Sequence, residues 1–150
     1  MTVSITIEDP RSPDVEKLLR ESHTLMQALF SAEENHFLSV DELCVDEVSL
    51  FIARIDGVCA GSGALSVHID YGEVKSMYTN KEFRGHGVAG AILSKIEDQA
   101  RAKSLPFLRL ETGDLLHEAQ RLYNRHDFHE RGPFGDYEDN GSSIFLEKTL

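Results

Sequence analysis

The chain has 150 residues, 41% hydrophobic and 27% charged, with 26 acids against 15 bases, a net charge of −11 and two cysteines. That length and apolar content fit one domain with a single core, burying roughly 70% of the unfolded surface, and exclude a disordered chain. The acidic balance excludes a phosphate-tracking nucleic-acid binder, and no run approaches the ~18 apolar residues of a membrane span.

Val3, Ile5 and Ile7 alternate, which predicts a short strand over residues 3–7. Asp9-Pro10 ends it, and Ser12, Pro13, Asp14 and Glu16 are start signals for a helix. Val15, Leu18, Leu19, Ser22, Met26, Leu29 and Phe30 then recur at helical spacing. Residues 31–47 are polar with apolar anchors at Phe37, Leu38, Val40 and Leu43, read as a loop with a short helix. A strand over Val48–Ile55, the hairpin signal Asp56-Gly57, a return strand over Val58–His68, a turn at Asp70-Tyr71-Gly72 and a third strand over Glu73–Thr79 form a meander. After the loop Asn80–His86, a helix is expected over Gly87–Lys103. A strand over Phe107–Thr112, a helix over Leu115–Arg125, a Gly/Pro-rich loop and a last strand over Ser143–Lys148 follow. No linker or repeat divides the chain, so one α/β domain over 1–150 with a mixed sheet is expected.

The N-terminus MTVSITIEDPR lacks the basic and apolar regions of a signal peptide. Cys44 and Cys59 form neither a disulfide framework nor a CxxC pair, so a cytoplasmic location with reduced thiols is expected, with no membrane or nucleic-acid partner.

The segment Phe83-Arg84-Gly85-His86-Gly87-Val88-Ala89-Gly90 lies between a strand and a helix. Glycines allow close backbone approach, and a helix start offers unpaired N–H groups and partial positive charge, a combination that suits a pyrophosphate. Locally, Lys75, Lys81, Arg84 and Lys95 stand against Glu82 alone. A turn that only packs helix on sheet would use the same glycines. Gly85-x-Gly87-x-x-Gly90 also matches the nicotinamide dinucleotide fingerprint. Five residues separate it from its strand, however, and the preceding strands are hairpins.

Arg84-x-x-Gly87-x-Ala89 resembles the acyl-CoA loop of the GNAT N-acetyltransferases. So do the strand Glu73-Val-Lys-Ser-Met-Tyr-Thr79 before it, the helix after it, and Ala119-x-x-Leu122-Tyr123-x-x-x-Asp127-Phe128. Leu110-Glu111-Thr112-Gly113 and Gly132-Pro133-Phe134-Gly135-Asp136-Tyr137 look like a bacterial subgroup of that family. The resemblance implies the GNAT fold, a mostly antiparallel mixed central sheet flanked by helices. It implies transfer of an acetyl group from acetyl-CoA to a small, amino-acid or peptide amine by direct attack. No metal is expected, because His117, His126 and His129 include no pair at i, i+4 on one helix with a carboxylate partner. The family often dimerises, and an exposed C-terminal strand would give a homodimer an edge. The family often has Gly where this chain has Asp127, and Asp tolerates a left-handed turn. A non-catalytic acyl-CoA-binding sensor is the alternative.

By the same resemblance, Gly85, His86, Gly87, Val88, Ala89 and Gly90 hold the pyrophosphate with Arg84 nearby, while Met77, Tyr78 and Thr79 line the pantetheine arm. The Met77 amide would face the thioester carbonyl. Tyr123 is the candidate general acid, or else a packed helix tyrosine. Glu73 is the candidate base, or else a solvated strand end. Glu111 competes for that task or binds the amine, and Asp136 and Tyr137 are candidates for acceptor contact. A base needs a pKa near the working pH, set by burial or a second carboxylate. Gly61-Ser62-Gly63 is read as a bulged strand, and Cys59 as core.

Overall fold

The computed structural model describes residues 2–150. Strand β1 (Val3–Ile7) is followed by α1 (Pro13–Leu29), with Pro13 opening the helix, and by the one-turn α2 (Val40–Leu43). A capping box between Ser39 and Glu42 starts α2 in the polar stretch. The meander is β2 (Val48–Ile55), β3 (Val58–Val67) and β4 (Gly72–Thr79). A 3₁₀ turn at Lys81–Phe83 leads to α3 (Val88–Ala102), β5 (Phe107–Gly113), α4 (His117–Arg125), β6 (His129–Arg131) and β7 (Ser143–Thr149).

These strands form one sheet in the order β1-β2-β3-β4-β5-β7-β6. Every neighbouring pair is antiparallel except β4 and β5, which α3 connects as a crossover. A doubly wound parallel sheet, which the dinucleotide fingerprint requires, is not what this chain forms. The sequence reading missed β6, whose His129-Glu130-Arg131 carries no apolar alternation and is a strand only because it pairs with Phe145–Glu147. That pairing also corrects the expected open C-terminal edge: β7 lies between β5 and β6.

The sheet is covered on both faces. Ile92, Leu93 and Ile96 of α3 pack with Leu122 and Tyr123 of α4 and with Leu65, Val74, Leu108 and Leu110 of the sheet. Val15, Leu18 and Leu19 of α1 and Leu43 of α2 pack on Leu50, Ile52, Ala64 and Cys59 on the opposite face. Cys59 is core as expected, and burial pushes its thiol up to about 11. Small residues in β3 let α3 sit close. A Cβ at Gly63 would lie 2.5 Å from Ile92 and 2.6 Å from the Met77 sulfur.

Two irregularities position the site. Gly61 pairs with Thr79 and Ser62 with Tyr78, but Ala64 pairs with Lys75, so Ser76 and Met77 together face Gly63. This is a β-bulge, with Ser76 at φ +56° and its carbonyl accepting a 2.7 Å bond from the Ser62 hydroxyl. The bulge expected on Gly61–Gly63 itself is displaced: opposite Gly63 the extra residue is on β4, and the extra residue of β3 is Ala60, against β2. In addition, β4 and β5 pair only over Gly72–Val74 and Leu108–Leu110. Beyond Val74 and Leu110 the strands separate.

Candidate active site

Where β4 and β5 part, a cavity of about 110 Å³ opens through the sheet. Its walls combine Met26 of α1 and Phe30 just past its end, His36 and Phe37 from the following loop, Lys75–Met77 of the bulge, Glu111–Gly113 of β5, and Ala119 and Tyr123 of α4. A larger groove of about 780 Å³ lies between α1 and the 3₁₀ turn, lined by Glu16, Lys17, Arg20, Tyr78 and Lys81. It holds none of Met77, Glu111 or Tyr123, so the smaller cavity is the one with chemistry.

Tyr123 faces that cavity from α4, 4% exposed, its ring edge-on to Phe128 at 5.6 Å. Its hydroxyl carries no hydrogen bond among the described residues. Burial, and then the Glu111 carboxylate, push its pKa above the ordinary tyrosine value, so it keeps its proton at neutral pH. Glu111 is half-buried and accepts a 2.7 Å bond from the Ser143 hydroxyl. Asp127, at φ +66°, makes the left-handed turn after α4.

Glu73 is not a solvated strand end. It is 6% exposed, and Tyr137 donates its hydroxyl proton to it at 2.5 Å. His68 lies at 3.3 Å and Lys75 at 3.5 Å from the same carboxylate. Lys75 donates to the Tyr137 oxygen at 2.7 Å and to the His36 carbonyl at 2.8 Å. Burial, then the Glu73 charge, hold Tyr137 protonated. Lys75 thus stands between the cavity and Glu73, which does not line it. Asp136 is exposed. The sequence reading gave His36 no role and counted Lys75 in the basic patch around the glycine loop; the fold instead ties Lys75 to Tyr137 and His36, and nothing local marks a loop histidine whose ring is set by Tyr137, edge-on at 5.2 Å.

On the sheet face that carries α3, Gly85 (φ +82°) and Gly87 (φ +75°) take left-handed conformations that side chains resist, and Gly87 caps α3. Ala91 donates to the Gly87 carbonyl, and no acidic residue occupies the first turn. The early amides of α3 are therefore open to an anion. Arg84 is exposed beside this loop, its Nε 3.4 Å from the Thr79 carbonyl. Thr79 ends β4 against Gly61, while the Tyr78 ring packs on the α1 side.

The family pattern described as Acetyltransferase (GNAT) family matches residues 13–128. The chain belongs to the GNAT acetyltransferase family. It is accordingly an acyl-CoA-dependent acyltransferase. Its relatives include a protein named IAA acetyltransferase from Azospirillum brasilense, 38% identical over 99% of this chain and 98% of the relative. Another is the N-acetyltransferase YsnE of Bacillus subtilis, 32% identical over 97% and 99%. Among solved structures, a Klebsiella pneumoniae chain classed as an acyl-CoA N-acyltransferase superposes with a TM-score of 0.83 at 27% identity, covering 99% and 97%. The PaiA N-acetyltransferase of Thermoplasma acidophilum, solved with coenzyme A, shares the fold with a TM-score of 0.77 at 15% identity over the whole of both chains.

Proposed function

We propose that this GNAT enzyme moves an acetyl group from acetyl-CoA to the amine of a small molecule, amino acid or peptide, by direct attack within the cavity between β4 and β5. The observation that carries this reading is the strand separation itself. It brings the bulge at Met77, the Tyr123 hydroxyl and the Glu111 carboxylate onto one cavity that is walled by α1 on one side of the sheet and α4 on the other.

Acetyl-CoA supplies an activated acyl group and a thiolate leaving group. The amides that open α3, together with Arg84, hold the pyrophosphate, since Gly85 and Gly87 clear the approach. The Met77 amide, freed from a regular ladder position by the bulge, receives the carbonyl oxygen as charge builds there. A donor of this kind is worth about 3 kcal/mol in the transition state. Tyr123 gives its proton to the departing sulfur. From reference values of about 10 and 8.5, that transfer begins roughly 2 kcal/mol uphill. Burial raises Tyr123 further, but the same dry surroundings disfavour the thiolate, which keeps the transfer within reach.

Glu111 is the carboxylate that meets the amine. It takes the nitrogen's proton directly or through water, and its closeness to Tyr123 lets the acid be recharged. Glu73 acts at one remove, fixing Tyr137 and Lys75 behind the cavity wall. The test is incubation of the enzyme with isotopically labelled acetyl-CoA and a cell extract, followed by mass spectrometry. Labelled N-acetyl products are expected. If acetyl-CoA binds by calorimetry yet no amine is labelled, the transfer reading is wrong.

A further inference from the structure

Two polar atoms in the cavity wall are buried without a partner among the described residues: Nε2 of His36 and the hydroxyl of Ser76. Buried groups of this kind are normally paired with protein, water or ligand, so each can receive a polar group of a molecule in the cavity. Both are firmly set. The His36 ring stands edge-on to Tyr137, and its carbonyl is held by Lys75. Ser76 sits in the bulge at φ +56°, where its carbonyl is tied to Ser62. Lys75 lines the cavity beside them, its ammonium bonded to the His36 carbonyl and the Tyr137 hydroxyl and 3.5 Å from Glu73.

The same cavity also carries groups of the other sign. Glu111 lies there, bonded to Ser143, and Glu34 stands at the edge of the same cavity near Ser142. The Glu111 charge reaches both Tyr123 and Tyr137, so that carboxylate stands near the groups around Ser76 and His36. The cavity therefore offers unpaired polar atoms at Ser76 and His36 and a carboxylate at Glu111, with the apolar surfaces of Met26, Phe30 and Phe37 completing its walls.

We infer that the acceptor is a small amino acid, whose amine meets Glu111 beside Tyr123 and whose carboxylate is received by Ser76 and His36 at the Lys75 end of the cavity. This rests on the acetyl-transfer reading above and narrows it to one class of amine. A peptide N-terminus, with its carboxylate converted to an amide, and a plain alkyl amine both lack the carboxylate that Ser76 and His36 would receive.

The test compares kcat/KM, from coenzyme A release, for the common amino acids, their carboxamides and the corresponding decarboxylated amines. At least one amino acid is expected to exceed both its carboxamide and its amine by 10²-fold or more, since a site built to bind a polar group rejects analogues lacking it. In His36→Ala, and separately in Ser76→Gly, whose backbone suits a positive φ, this ratio is expected to fall at least tenfold. A ratio of substrates on one preparation does not depend on the fraction folded. Amines turned over as well as their amino acids, or a ratio that neither variant changes, would overturn this inference and leave acetyl transfer standing. No turnover on any amine despite acetyl-CoA binding would instead remove the underlying reading.

Discussion

Replacing Tyr123 with Phe isolates the proton that the mechanism assigns to the leaving sulfur. The ring is 4% exposed and packs on Phe128, and both features survive the substitution. The hydroxyl holds no hydrogen bond among the described residues, so its removal leaves no protein partner stranded. Stability should therefore change by less than about 0.5 kcal/mol, as for substitutions that break no named interaction. The catalytic loss should be much larger. Removing a positioned general acid costs about 10²-fold or more, which is about 2.7 kcal/mol in the barrier. Steady-state release of coenzyme A should thus show kcat reduced about a hundredfold, with acetyl-CoA affinity and the urea midpoint unchanged. Because burial and Glu111 hold the phenol protonated, the wild-type rate should show no alkaline limb from Tyr123 up to about pH 10, its ordinary value. A Tyr123→Phe rate within threefold of wild type would refute the acid role.

Two further outcomes test the frame around the cavity. A Cβ at Gly113 would lie 2.1 Å from the Phe30 ring, so Gly113→Ala must drive that ring aside. A loss of about 1–3 kcal/mol in urea unfolding is expected, with a raised KM for the acceptor, and an unchanged midpoint would show that Phe30 packs elsewhere. Arg54 clamps Glu8 through two bonds of 2.7 and 2.9 Å and reaches Asp14 at 2.7 Å. Those hydrogen bonds from Arg54 hold both carboxyls below their usual range. Their contribution is complete above the unfolded values near 4 and is lost as pH falls through the lower folded values. Arg54→Ala should flatten the decline of stability between about pH 5 and 3, and parallel profiles would exclude the clamp.

Periodicity in the chain was enough for the three longer helices and all but one of the strands, because each buries a face whose spacing is visible in sequence. It was not enough for β6, whose three polar residues are a strand only by virtue of β7. The glycine loop was also legible: left-handed turns at Gly85 and Gly87 need residues without a Cβ, and that need is written in the residue type. Asp127 was read correctly for the same reason.

The reacting groups were legible singly and not as an arrangement. Tyr123 and Glu111 stand 12 positions apart in the sequence, and nothing local says that they share a cavity. Glu73 reads as the exposed start of a strand until Tyr137, 64 residues later, folds over it and closes the bond. Lys75 looks like a surface cation until the Ser76 bulge turns the strand and sets it between that carboxylate and the cavity. Sequence alone determined the elements other than β6, the left-handed glycine loop and the family resemblance, because these depend on local pattern and residue type. Only the tertiary structure decided which carboxylate lines the cavity and which polar atoms there are left unpaired among the described residues, because burial and pairing are created by segments far apart in the chain.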